Sequence, residues 1–368
     1  MSVDHVTMAA PAEIASGRPV RAGLILFALL AGVALIGALA IGPFTIAPGR
    51  VLTILWAALT GDAAPTIALR ERIVVIDVRF PRAVLGALTG AGTAVAGAVM
   101  QGVFRNPLAD PGLVGVAPGA ALAAVAFVVF GAPLAMLLPV PLQALGLPLQ
   151  ALGLPLAAFA GGLGTTLVIA RLAAKDGRTQ VATLLFAGLA LGALASAGTG
   201  VMVFLASEQQ TREFLFWTLG SLGGATWLKA ALAAPFVLGL LAASIFLARG
   251  LDALALGEAE AFHAGVSVER LKRGAVIAVA AGVGASVAAA GVVGFIGLVV
   301  PHLARLVVGP SHRVLLPASA LLGVAVLLGA DILARMIAAP AELPLGVVTA
   351  LVGAPFFLWL LLRRRAFV

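Results

Sequence analysis

The sequence predicts an all-α polytopic membrane protein with about ten transmembrane helices and both termini cytoplasmic. Three observations carry that expectation. Hydrophobic residues make up 62% of the 368 and charged residues only 10%, with a mean hydropathy of +1.16, whereas soluble domains carry about 25% charged residues. Apolar runs long enough to cross about 30 Å of hydrocarbon recur along the whole chain. Between Arg79 and Ala121, small residues (Gly86, Gly90, Gly92, Gly97 and intervening alanines) fill one long run. Such residues let helices approach closely where lipid removes the hydrophobic driving force.

Residues 1–21 carry Asp4, Glu13, Arg18 and Arg21 without an apolar core or a small-residue cleavage site, so they read as a cytoplasmic tail and not a signal peptide. Residues 22–368 then form a single transmembrane domain. Its candidate spans are 22–42, 83–104, 112–138, 155–174, 181–205, 230–248, 274–293, 294–308, 314–336 and 346–362. Gly291, Gly294 and Gly297 divide the seventh from the eighth. With both termini inside, most of the 23 Lys and Arg fall on the cytoplasmic side. Only Arg50, Arg70, Arg72, Arg79, Arg82, Arg212, Lys229 and Arg335 remain outside, which is the bias the positive-inside rule asks for.

The longest outer connection, 42–82, contains a short amphipathic helix over Pro48–Leu59. After the third span the heptapeptide PLQALGL occurs twice in tandem, at 141–147 and 148–154, and marks a tolerant loop without chemistry of its own. The longest inner connection, 249–273, predicts a helix over Asp252–Ala264 with Gly265 as its stop. Two prolines, Pro107 and Pro111, break the chain at the polar turn Arg105–Pro111.

Several function classes are excluded by residue type. The net charge of +8 and pI near 11.4 are spread over short loops, which fits a membrane better than nucleic acid. The three lysines, Lys175, Lys229 and Lys272, follow alanine or leucine, so no phosphate-binding Gly-Lys-Ser/Thr loop exists. There is no HExxH, CxxC, EF-hand or GxSxG spacing; the chain has no cysteine, and its four histidines are dispersed. No metal site and no cofactor is expected on this chain. Asp331 and Arg335, four apart, have the spacing of a local ion pair, and Arg79 and Arg82 share their side of the membrane. No acid falls at mid-span, which counts against a proton- or cation-coupled secondary transporter.

Several stretches resemble the membrane permease of bacterial ABC importers for iron-siderophore, haem and vitamin B12: Arg79-Phe80-Pro81-Arg82; Gly97–Gln101 leading into Arg105-Asn106-Pro107-Leu108-Ala109-Asp110-Pro111; Gly115–Ala120; Phe216–Ser221; GVVGFIGLVVPHLAR over Gly291–Arg305; and HRVLLP, GADILAR and ELPLGVVTALVGAP within His312–Pro355. The resemblance runs from about residue 22 to the end. It implies a homodimer with a path at its axis lined mainly by the fifth helix, a periplasmic binding protein on the outer face, and two cytoplasmic ATPases that bind ATP and Mg. It places binding-protein docking on Arg79, Arg82 and Arg335. Within the coupling segment 250–273 it places ATPase coupling on Leu256, Gly257, Glu258, Ala261, Ala264 and Gly265. Gln101, Arg105, Asn106, Pro107, Asp110 and Pro111 form the family motif. The cytoplasmic gate falls on Gln180, Val181, Ala182 and Thr183, where the cobalamin member carries small hydroxyl residues at the positions of Val181 and Ala182. The form of residues 100–116 is most similar to haem importers, so the expected substrate is haem, ahead of ferric siderophore and then cobalamin. A stand-alone secondary transporter and a membrane scaffold are the rival classes.

Overall fold

The computed structural model describes residues 18–61, 68–137, 149–175 and 178–365. The N-terminal tail up to residue 17 and residues 141–148 of the duplicated heptapeptides lie outside them. Among the described residues, seven helices are long and apolar enough to cross a membrane, and three shorter apolar helices fill the remaining expected positions. In order these are α1 (Arg18–Ala40), α4 (Phe80–Val103), α5 (Val116–Leu137), α6 (Leu149–Leu172), α7 (Val181–Leu205), α9 (Trp227–Leu256), α11 (Val268–Ala290), α12 (Ile296–Val308), α13 (His312–Ile337) and α14 (Leu345–Arg365). The expected ten-helix all-α architecture is therefore present.

Connecting elements depart from expectation in instructive ways. The amphipathic helix α2 (Pro48–Thr60) forms where its pattern placed it, burying Val51 and Ile54. The second span starts earlier than residue 83, because α3 (Leu69–Arg72) runs through a π-helical segment, Ile73–Arg79, directly into α4. Pro81 does not break this run: it lacks an N–H, and the turn before it is widened so that the Phe80 N–H reaches the Val75 carbonyl. The second heptapeptide copy is not all loop, since Leu149–Leu154 opens α6, whose Leu, Gln and Ala are good helix formers. A helix not anticipated, α8 (Glu208–Thr218), starts with a complete capping box between Ser207 and Gln210.

The helix expected over Asp252–Ala264 is corrected by the structure. Asp252–Leu256 are the last turn of α9, and a separate helix, α10, spans only Glu258–His263. Gly257 makes the break with φ 140°, a conformation that side chains with a Cβ rarely adopt.

The second span is the hub of the bundle. α4 packs against α9, α11, α12 and α13, while α1 lies on α13 and the α5–α6–α7 group attaches through α6 and α11. Every residue of α4 from Thr89 to Val103 is buried. Small side chains make this possible: a Cβ added to Gly97 would come within 2.7 Å of the Gly297 Cα on α12. α1 starts with Gly23 beside Val308 at the end of α12, and its far end lies along α13, with Gly37 beside Ile332 and Ala38 beside Arg335. α1 therefore runs parallel to α13, with its start beside the α12–α13 turn.

Candidate functional site

At one end of the bundle, four charges form a lock. The Arg82 guanidinium donates to Asp331 through Nε (3.1 Å) and Nη2 (2.8 Å), and to Glu342 through Nη1 (2.8 Å) and Nη2 (2.9 Å). Asp331 also pairs with Arg335, Oδ2 to Nε at 3.2 Å, which realises the four-residue spacing read from sequence. Both members of the Arg82–Asp331 pair are enclosed, with 2% side-chain exposure for Asp331 and 10% for Arg82. The arrangement is a planar fork shared by two carboxylates, the geometry for which arginine is suited and lysine is not. Glu342 sits in the loop after α13, where the Arg82 hydrogen bonds hold its carboxyl below its ordinary range despite the opposing effect of burial.

Arg79 completes this end in a different way. Its Nη1 donates to the carbonyls of Leu39 (2.7 Å) and Ala40 (2.9 Å), and its Nη2 to that of Phe44. Arg335 Nη2 adds a bond to the Ala38 carbonyl at 3.3 Å. The carbonyls of Ala38, Leu39 and Ala40 are the last of α1, have no partner within the helix and carry its negative dipole end, while that of Phe44 belongs to the α1–α2 loop. Two arginines from α4's leading segment and α13 thus cap α1.

The three arginines expected to present charge to a docking protein are brought together, yet they are 4–8% exposed and occupied by internal acceptors. In this chain their visible work is to fix the α1–α2 and α13–α14 loops. The exposed cations on the same helix lie further along, at Arg70, stacked over Phe44 at 4.8 Å, and Arg72.

The family-motif residues form a compact turn below α4. Gln101, 3% exposed, donates to the Leu298 carbonyl (3.2 Å) and accepts from Arg305 Nη2 (3.0 Å), joining α4 to α12. Arg105 adopts φ 49° and reverses the chain; Asn106 Oδ1 accepts the Leu108 N–H and Asp110 Oδ1 accepts the Gly112 N–H at 2.7 Å. Burial pushes the Asp110 carboxyl above its ordinary value, with the Gly112 N–H opposing. Pro107 is half-buried, and Pro111 packs against Gly297.

At the opposite end, Asp252 in the last turn of α9 accepts the His312 N–H (2.7 Å), lies 2.8 Å from His312 Nδ1, and accepts from Ser311 Oγ (3.1 Å). A carboxylate at a helix N-terminus satisfies otherwise unpaired donors, so α9 caps α13. The expected coupling residues follow immediately. Leu256 is 78% exposed, Gly257 makes the break, Glu258 opens α10, Ala261 is buried, and Ala264 with Gly265 ends it.

The expected gate residues stand at the start of α7, preceded by a two-residue β-hairpin, β1 (Ala174–Lys175) with β2 (Arg178–Thr179). Gln180 is the N-cap residue; its Oε1 accepts from Thr183 Oγ at 2.9 Å, and Val181 and Ala182 begin the helix. The α7 helix is the least enclosed of the long spans: of its 25 residues only Leu184, Gly188, Gly192 and Ala195 are buried. Phe186, Leu189, Leu194, Val201 and Phe204 stand exposed along it.

Sequence reasoning missed the residue that connects these two sites. Lys272, on α11, has its Nζ 2.7 Å from Glu258 Oε1 and donates to the Thr179 carbonyl at 3.1 Å. The only signal available was its three-residue spacing from Glu269.

Comparison with known proteins agrees with this architecture. The FecCD transport family matches residues 26–363. The chain is 42% identical over 311 residues to the hemin transport system permease protein HmuU of Yersinia pestis, covering 84% of this chain and 87% of that one. It is 44% identical over 318 residues to the cobalamin import system permease protein BtuC of Halobacterium salinarum, covering 86% and 80%. A solved inward-facing structure described as a metal-chelate type ABC transporter superposes with a TM-score of 0.77 at 29% identity, covering 92% of this chain and 98% of that one. The chain is a multi-pass membrane permease, and it belongs to the FecCD transport family.

Proposed function

We propose that the chain is the inner-membrane permease subunit of a type II ABC importer that carries haem from periplasm to cytoplasm. The observation that supports the substrate is its 42% identity to a hemin permease across 84% of its length. The 44% identity to a cobalamin permease supports a second reading, import of cobalamin, and ferric siderophore remains a third within the same mechanism. The chain has no tyrosine, and weak, apolar contact suits a path that must release its cargo.

In this reading two copies pair about their α7 helices, whose exposed apolar faces line the path, and Gln180–Thr183 close it at the cytoplasmic end. Two separate ATPases, holding ATP and Mg, dock on α10 through Leu256, Gly257, Glu258, Ala261, Ala264 and Gly265. A periplasmic binding protein docks at the arginine end. Arg79, Arg82 and Arg335 serve it by ordering the loops and biasing the local field, and Arg70 and Arg72 supply reachable charge. The chain itself carries no catalytic residue, so hydrolysis belongs to the partner.

The test of the substrate is a spectral titration of the cognate periplasmic binding protein with haem, a ferric siderophore and cobalamin. Tightest binding of haem is expected. Tightest binding of cobalamin or siderophore overturns the substrate while leaving the importer reading in place.

A further inference from the structure

Lys272 is one of three lysines in the chain and, among the described residues, the largest fully enclosed side chain, at 2% exposure. An ammonium group is tolerated there only because of its partners. Its Nζ is held by Glu258 Oε1 of α10 at 2.7 Å, by Glu269 Oε1 of α11 at 3.8 Å and by the Thr179 carbonyl at 3.1 Å. Glu269 reaches the same residue from its other side, accepting the Thr179 N–H through Oε2 at 2.7 Å. Both backbone polar groups of Thr179 are therefore bound by one Glu–Lys pair.

Thr179 ends the β-hairpin, and Gln180 after it is the N-cap of α7. The Gln180 N–H is in turn fixed to the Ala173 carbonyl at 3.0 Å. Three chain segments thus meet on one buried cation: α10, the start of α11 and the hairpin that leads into α7. Withdrawing Glu258 would leave the enclosed cation with one distant carboxylate, which is costly, whereas moving all three segments together breaks nothing. A cavity of about 240 Å³, bordered by Thr179, Leu184 and Lys272 on one side and Leu167, Ala170 and Arg171 of α6 on the other, leaves that unit room to shift.

We propose that Lys272 is a positioning residue that yokes α10 to the hairpin, so that a displacement of α10 reaches Gln180–Thr183 as the motion of one rigid body. The inference rests on the importer reading, in which α10 takes the push and the start of α7 is the gate. A two-arrangement element biased from one end is what such transmission requires.

The test uses the full permease reconstituted with its ATPase and loaded binding protein. Lys272→Met is expected to hold a stoichiometric ATPase and to hydrolyse ATP, while uptake per ATP falls at least tenfold; Lys272→Arg is expected to recover most of it, and Glu258→Gln to lie between. Unchanged uptake per ATP in Lys272→Met overturns the proposal. Should that variant fail to accumulate, the otherwise unmodified chain, which has no cysteine, is spin-labelled at Arg178→Cys with Ala259→Cys, and separately at Val181→Cys across the two subunits. The 178–259 distance is expected to stay fixed between nucleotide-free and nucleotide-bound states while the 181–181 distance changes. A 178–259 change as large as the 181–181 change overturns the yoke. Failure of the unmodified chain to retain any ATPase strikes the importer reading instead, and is distinguished by appearing without any substitution.

Discussion

Arg82 and Asp331, 249 residues apart in the chain, meet at 2.8 Å with both side chains nearly sealed from solvent. The pair closes α4 onto α13, the two helices in most extensive contact in the bundle. Because Asp331 also serves Arg335, one carboxylate stands between two guanidiniums. Asp331→Asn would leave both cations enclosed with only Glu342 and backbone acceptors nearby. The expected loss is about 3–5 kcal/mol, the cost of stripping one partner from a buried pair. It should be read as a lower melting temperature of the detergent-purified protein, and an unchanged melt would contradict the lock.

The Glu342 arm of the same lock titrates. Its carboxyl is held below its ordinary value of 4.5 in the folded protein by the Arg82 hydrogen bonds. A lowered folded-state value means stabilisation that is complete above the ordinary value and is lost as pH falls through the folded one. Thermal stability is therefore expected to drop on acidification below about pH 4.5, and Glu342→Gln should flatten that part of the profile. Identical pH profiles for the two proteins would remove Glu342 from the lock.

Two glycines test the packing of the hub. Gly97→Ala drives a methyl into the backbone of Gly297, for which a cost of about 1–3 kcal/mol is typical of overpacking. Gly200→Ala on α7 meets nothing within 4 Å, and replacing an unstrained helical glycine is neutral or slightly favourable. Monodisperse yield and melting temperature should fall for the first and hold for the second.

Asp252 caps α13 from a neighbouring helix. Asp252→Ala should cost about 0.5–2 kcal/mol, the usual value of a lost N-terminal cap, and amide exchange over the first turn of α13 should accelerate. Unaltered exchange at His312–Leu315 would show that the cap is dispensable.

The physics that made parts of this fold legible is local. Spans announce themselves by length and hydropathy, so the ten-helix class, the break between α11 and α12 and the amphipathic α2 all followed from pattern. Asp331–Arg335 was readable because helical neighbours lie four apart. The capping box of α8, Ser207 with Gln210, was equally local and lay in plain sight. The partners that make Asp331 a hub were not readable, since nothing in the residues around 82 refers to those around 331. The same holds for Lys272, whose contacts with Glu258 and Thr179 depend on how a hairpin folds back. The burial of three charged residues was not readable either. Charged residues at the ends of apolar runs suggest headgroup anchors or docking points, yet Arg79, Arg82 and Arg335 turn inward, because the carbonyls ending α1 and the Asp331 carboxylate need them more than water does.

The boundary of the inner helix was misplaced for an equally physical reason. Asp252 in a run of helix formers looks like a helix start, whereas its carboxylate caps α13 while its backbone continues α9. Only the conformation of Gly257 sets α10 apart.

The central claim, a permease driven by a separate ATPase, is tested most directly by uptake of radiolabelled haem into proteoliposomes holding the purified chain. The account predicts uptake only when the partner ATPase, ATP with Mg and the loaded binding protein are all supplied, and none when any of them is withheld. Uptake by the chain alone under an imposed proton or sodium gradient, indifferent to ATP, would contradict it.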